Sequence, residues 1–181
     1  MFLISKVIIA GVAIIIIVVA IIMISIIYGN HAHKKRMQNI TELLQKACEE
    51  SGINNYKLEQ SKKNVYDFHL ETDKHIYYIK VVNNSANQEI CVNNAIKWQL
   101  RKHVNNDQIV FLEGIEGLMR LDLPKNPKKQ HKLFIIYPNA RALLKVINEC
   151  EMVFVYPETD VYGANIVTYI KLSENPKLLD L

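Results

Sequence analysis

Two residues of this 181-residue chain stand where a hairpin would bring reactive groups together. Asp67 lies in Val65-Tyr66-Asp67-Phe68-His69-Leu70, and Lys80 in His75-Ile76-Tyr77-Tyr78-Ile79-Lys80-Val81-Val82. A carboxylate is a hard oxygen donor suited to a divalent cation, and a lysine can orient a water or neutralise developing charge. Both segments read as strands around Glu71-Thr72-Asp73-Lys74. A four-residue loop pairs Leu70 with His75, puts Asp67 opposite Tyr78 and Val65 opposite Lys80, and leaves Asp67, Tyr78 and Lys80 on one face. Asp67 is therefore the candidate catalytic residue and metal ligand, with Lys80 its catalytic partner. The bland reading is a cross-strand ion pair, with the lysine stem on apolar surface. His69 falls on the face of Asp67 and His75 on the other, both as structural residues.

Further candidates lie downstream. Lys97, Trp98 and Gln99 form a candidate binding group, in which Trp98 is either a packed aromatic or a platform for a base. Lys125, Lys128, Lys129 and Lys132, with His131, crowd the polar stretch from Pro124 to Lys132. That stretch reads as a solvated loop, or as a contact for phosphate or lipid head groups. No Walker-type glycine loop, Gly-x-Ser-x-Gly elbow, Cys-x-x-Cys pair or His-Glu-x-x-His occurs. Phosphate-loop hydrolysis, serine-hydrolase chemistry, thiol redox and zinc proteolysis are disfavoured. Cys48, Cys91 and Cys150 are far apart and odd in number, as expected of reduced, buried thiols in a cytosolic domain.

The elements that must hold these residues follow from periodicity. Ile40, Leu43, Leu44, Ala47 and Cys48 form one helical stripe, with Gly52 as its stop. The strand from His75 to Val82 is apolar on both faces and should be central. Ser85 to Gln88 has capping-box spacing and predicts a helix through about His103. Ile109–Leu112 and Leu118–Leu121 predict short strands, Pro124 to Lys132 a loop, and Leu133–Tyr137 a buried strand. A helix is expected from Ala140 to Glu149 and a strand from Met152 to Tyr156, with Ala164–Leu172 closing the domain. Asp160-Val161-Tyr162-Gly163 reads as a turn whose glycine permits positive φ. The order predicts an α/β sandwich with a mixed central sheet flanked by helices.

A helix, a strand with an Asp, a strand ending in an apolar-Lys pair and a further helix resemble the restriction-endonuclease-like nucleases, the PD-(D/E)xK superfamily. The likeness covers roughly residues 40–105. It implies that Asp67 and a second acid two residues before Lys80 hold a divalent metal, and that Lys80 orients the attacking water. This chain has Tyr78 at the second acid position, a poor ligand for a hard cation. The family often adds a Glu from its first helix. Glu42 points nearly opposite the apolar stripe, and Glu50 is no better matched. The site is therefore expected to be incomplete.

Location is more plainly written. Val7 to Ile27 is a run of 21 uncharged residues, of which only Gly11 and Ser25 are not apolar. As a helix it spans about 31 Å, the thickness of a bilayer core. Fifteen of the 21 are Ile or Val; a lone strand would leave its backbone unpaired in lipid, so the run must be a helix. It exceeds the usual apolar region of a cleaved signal and lacks a small-x-small site, which predicts an uncleaved, single-pass anchor. Only Lys6 precedes it, whereas Lys34, Lys35 and Arg36 follow, predicting an external N-terminus and a cytoplasmic C-terminal domain at a bacterial-type membrane. The basic trio could also attract anionic lipid head groups.

The expected division is an anchor over 1–30, a basic linker over 31–39, an α/β domain over 40–173 and a tail over 174–181. Of 22 Lys+Arg, Lys6 leaves with the anchor; the 21 remaining against 18 acids give +3, too mild to imply nucleic acid. The first expectation is a domain with the bilayer as partner that acts by binding and needs no cofactor. The alternatives are an active nuclease on DNA or RNA, with Mg²⁺ as its cofactor, and a scaffold for a protein partner that the sequence does not identify.

Overall fold

The computed structural model describes residues 2–62, 64–102 and 110–180, with side chains over 14–62, 64–101 and 110–179. The chain divides into two units, Met1–Thr41 and Glu42–Leu181.

The first unit belongs to helix α1, Phe2–Glu50, which is long and apolar enough to cross a membrane. Its Ile, Val and Met side chains from Ile14 to Ile27 are 49% to 63% exposed. A polar solvent does not tolerate such a row at an apolar cost of roughly 25 cal/mol per Å². Residues 31–39 continue the helix without a break.

In the second unit the last turns of α1 bury Leu43, Leu44, Ala47 and Cys48, and end at Gly52 (φ 71°). Ile53 N–H donates to the Cys48 carbonyl at 2.8 Å, and Gly52 N–H to that of Glu49 at 3.1 Å. This cap needs a left-handed residue, which is why glycine stops the helix.

Two five-stranded mixed sheets follow. The first runs β1 (Lys57–Gln60), β2 (Phe68–Glu71), β3 (His75–Asn83), β7 (Lys129–Tyr137), β10 (Ala164–Thr168). The first three strands are antiparallel; β7 is parallel to β3 and β10 to β7. The second runs β6 (Val110–Phe111), β5 (Trp98–Lys102), β4 (Gln88–Val92), β8 (Leu143–Asn148), β9 (Glu151–Phe154), with β4 and β8 parallel. Helix α2 is Ile115–Met119, and α3 is Tyr169–Glu174, followed by a 3₁₀ turn over Pro176–Asp180.

The chain passes from the first sheet to the second after β3 and again after β7. Buried Asn84 ties the crossings together, its Nδ2 donating to the carbonyls of Ser85 and Asn139 at 2.9 and 3.0 Å. The main core joins Ile76, Tyr78, Val82, Phe134 and Ile166 of the first sheet to Ile90, Val92 and Trp98 of the second, with Ile115 and Leu118 of α2. The other face of the first sheet buries Phe68, Leu70, Ile79, Leu133 and Ile135, so β3 is central as its two apolar faces require.

The α/β class, the apolar N-terminal helix and the mixed sheet stand as read from sequence. Several elements do not. The helix expected after Ser85 is the β4–β5 hairpin. The Ser85–Gln88 spacing closes a turn instead, with Gln88 N–H on the Ser85 carbonyl and Ser85 N–H on Gln88 Oε1. Asn94 Oδ1 then accepts from Ile96 and Lys97 N–H and reverses the chain; His103 and Ile109 lie outside the described residues. Leu118 and Met119 end α2, with Arg120 as its C-cap, rather than open a strand, and within the helix expected over 140–149 lies β8, Leu143–Asn148. Leu143, Leu144 and Ile147 fit either period, and parallel pairing with β4 selects the strand. Lys129 and Lys132 belong to β7 rather than to a loop. The segment 164–172 is β10 followed by α3, whose Thr168 side chain accepts from Lys171 N–H at 3.2 Å.

Candidate functional site

The hairpin carrying Asp67 and Lys80 closes with two loop residues, Asp73 and Lys74. Thr72 N–H donates to the His75 carbonyl at 2.8 Å, and His75 N–H to Thr72 Oγ1 at 3.0 Å. The observed register is Leu70↔Tyr77, His69↔Tyr78 and Phe68↔Ile79. Relative to the expected pairing it slips by two residues. A slip of two preserves the faces, so Asp67, Tyr78 and Lys80 still point the same way. It also leaves Tyr78 opposite His69 and brings the Asp67 side chain to Lys80.

Asp67 and Lys80 form an ion pair at 3.2 Å, with side chains 21% and 15% exposed. The second carboxylate oxygen of Asp67 accepts from Val81 N–H at 2.7 Å. Asp67 N–H itself donates to the Ile79 carbonyl. The side chain thus serves the β3 amide that the next β2-side carbonyl would have served, and finishes the ladder. Lys80 Nζ also donates to the Asn64 carbonyl at 3.0 Å. Its stem runs beneath Gly114, the N-cap of α2 (φ 78°), where an added Cβ would sit 3.4 Å from Lys80 Cε. Each oxygen of Asp67 has a donor.

Tyr78 occupies the second acid position of the resemblance. Its ring packs edge-on against Tyr66 and His69, each at 5.3 Å between centroids. Burial, then the neighbouring Tyr66, raise its phenol pKa, so it stays neutral. Glu42 is exposed on α1, and its charge is one of the causes that raise the Tyr169 pKa, after burial and Tyr137. Among the described residues no three His, Cys, Asp or Glu converge as a metal-binding group. Tyr66, His69 and Tyr78 instead join Glu59 and Lys62 around an open groove of about 630 Å³.

The other candidates scatter. Trp98 is fully buried on β5, its ring 4.6 Å from that of Phe134. As a core residue it has no face free for a base, which corrects the platform reading. Lys97 is exposed in the β4–β5 turn, and Gln99 pairs with Cys91 and Phe111 in the sheet. Lys128 Nζ is held by Glu71 and the Thr72 carbonyl, both at 2.7 Å. Lys132 Nζ donates to the Met119 carbonyl at 2.7 Å, and its pKa is lowered by burial. Lys125 and Lys129 are exposed. Two of these four lysines are thus committed inside the fold, and the four do not act as one phosphate surface.

Sequence reasoning missed a second polar cluster. Parallel pairing sets Tyr77 of β3 against His131 of β7. Their rings stack at 4.8 Å, and His75 Nδ1 lies 2.9 Å from His131 Nε2. Burial, then His75 and Lys129, lower the His131 pKa to about 4. Tyr77 donates its hydroxyl to the Leu179 carbonyl. The partners are tens of residues apart, so only the strand order could reveal them.

No protein-family model matches this chain, and comparison with curated proteins and with solved structures found no match.

Proposed function

We propose that this is a single-pass membrane-anchored protein whose α/β domain faces the cytoplasm and acts by binding, on a scaffold resembling a PD-(D/E)xK nuclease with an incomplete metal site. One observation carries the reading: Asp67 spends one oxygen on Lys80 and the other on Val81 N–H, with a neutral tyrosine at the second acid position. A hard cation would compete with these two donors for the carboxylate and would gain a single acid, where Mg²⁺ ordinarily uses one or two plus substrate phosphates. The anchor reading draws on the exposed aliphatic helix, and the orientation on Lys34, Lys35 and Arg36.

Titration of the full chain in detergent with Mg²⁺ or Mn²⁺, followed by thermal unfolding, tests this. The midpoint should stay put in the wild type and in Asp67→Ala alike. A metal-dependent rise abolished by Asp67→Ala would overturn the reading, because a ligand bound only to the native state stabilises it by mass action. The juxtaposition of Asp67 and Lys80 supports a second reading, an active nuclease on DNA or RNA. It requires metal-dependent cleavage that disappears in Lys80→Ala. Recruitment of a protein partner is a third, favoured over both if the domain shows no salt-dependent binding to nucleic acid.

A further inference from the structure

The outer edge of the second sheet is strand β9, exposed at all four positions. Val155 N–H donates to the Leu143 carbonyl at 2.8 Å, and the register pairs Val153 with Lys145 and Phe154 with Leu144. Antiparallel geometry then turns the backbone groups of Val153 toward β8 and those of Met152 and Phe154 outward. Met152, Val153 and Phe154 are 47%, 37% and 63% exposed. An edge of this kind is normally blunted by charge. Strand β1, at the edge of the first sheet, follows that rule with its exposed Lys57–Glu59 ion pair. Strand β9 has only Glu151, at its end.

We infer that β9 pairs antiparallel with β9 of a second copy of this chain, about a two-fold axis at Val153. The register is self-complementary. With Val153 opposite its own copy, the outward N–H and C=O of Met152 meet those of the second copy's Phe154, and the reverse, which makes four backbone hydrogen bonds. On one face Met152 lies beside the second copy's Phe154 twice over, and on the other the two Val153 side chains meet. Glu151 falls opposite Val155 of the second copy, so no like charges oppose each other in the pairing. The two five-stranded sheets become one of ten strands. A foreign strand could use the same backbone edge, but the axis at Val153 matches an apolar residue to an apolar residue without any partner of new sequence. This inference is independent of the proposed function.

Site-directed disulfide formation in the full chain, reconstituted in liposomes, tests it. Exposed Cys150 is replaced by Ser in every variant. Val153→Cys occupies a non-hydrogen-bonded pair with Cα atoms about 4.5 Å apart, within disulfide reach. In Met152→Cys or Phe154→Cys the identical positions lie about 8 Å apart, beyond it. Oxidation should yield a covalent dimer from Val153→Cys at least about tenfold faster than from either neighbour. Phe154→Lys should abolish that cross-link when combined with Val153→Cys, at an unchanged thermal midpoint. Met152→Pro, which removes an outward N–H along with the side chain that meets Cys91 and Arg101, should do the same, with Met152→Ala as the control that keeps the N–H and the cross-link. No cross-link at Val153, or equal cross-linking at all three positions, overturns the inference.

Discussion

Asp67 ends a strand ladder and neutralises a half-buried lysine with the same carboxylate. Both roles fail together in Asp67→Ala, which leaves the Val81 amide without its acceptor and the Lys80 ammonium without its counter-charge, held by the Asn64 carbonyl alone. The expected loss is about 2–3 kcal/mol in urea denaturation of the full chain in detergent. Asp67→Asn keeps an acceptor for Val81 N–H and should lose clearly less. A catalytic carboxylate would show the opposite pattern, in which both substitutions abolish activity at little cost in stability. His131 gives a pH-dependent term. Its folded pKa lies near 4 against an ordinary 6.5, so between these values the unfolded chain binds the additional proton. The His131 contribution to stability is complete above about pH 6.5 and is lost as pH falls through 4. Thermal midpoints across pH 4 to 7 should show this slope, and His131→Asn should flatten it.

At the scale of elements, α2 works as a lid on the hairpin through Gly114. A side chain there meets Lys80 Cε at 3.4 Å and must also adopt φ 78°, so Gly114→Val should lower stability by roughly 1–2 kcal/mol through backbone strain. The β4–β5 hairpin places Trp98, the single tryptophan, in the main core. Its fluorescence should be blue-shifted, resistant to acrylamide quenching and indifferent to added oligonucleotide. Quenching by single-stranded DNA would contradict the buried placement. Trp98→Ala should cost about 3–5 kcal/mol, the range for removing a buried large aromatic.

For the molecule as a whole, Cys150, expected to be buried like the other two cysteines, is exposed in the β8–β9 turn and offers a built-in probe of topology. Cys48 and Cys91 are buried, so an impermeant maleimide applied to sealed cells should label the chain only after permeabilisation, and labelling before it would reverse the orientation. Some of the protein was legible residue by residue. The apolar helix was, because 21 consecutive uncharged residues admit one backbone solution in lipid. So were the α1 stop at Gly52, the central place of β3, and the shared face of Asp67 and Lys80, all set by local period and φ. The turn length was not legible, since Glu71-Thr72-Asp73-Lys74 serves a four-residue loop or a two-residue one, and the Thr72–His75 hydrogen bonds select the shorter. Nor were the strands at 88–102 and 143–148, whose apolar spacing suits both periods until a neighbouring strand offers its edge. The sequence by itself determined the apolar helix and which side chains share a face, because those depend on residues a few positions apart. Only the tertiary structure decided that both oxygens of Asp67 are occupied, that Trp98 is core and that His131 meets His75, because each depends on pairing between distant segments.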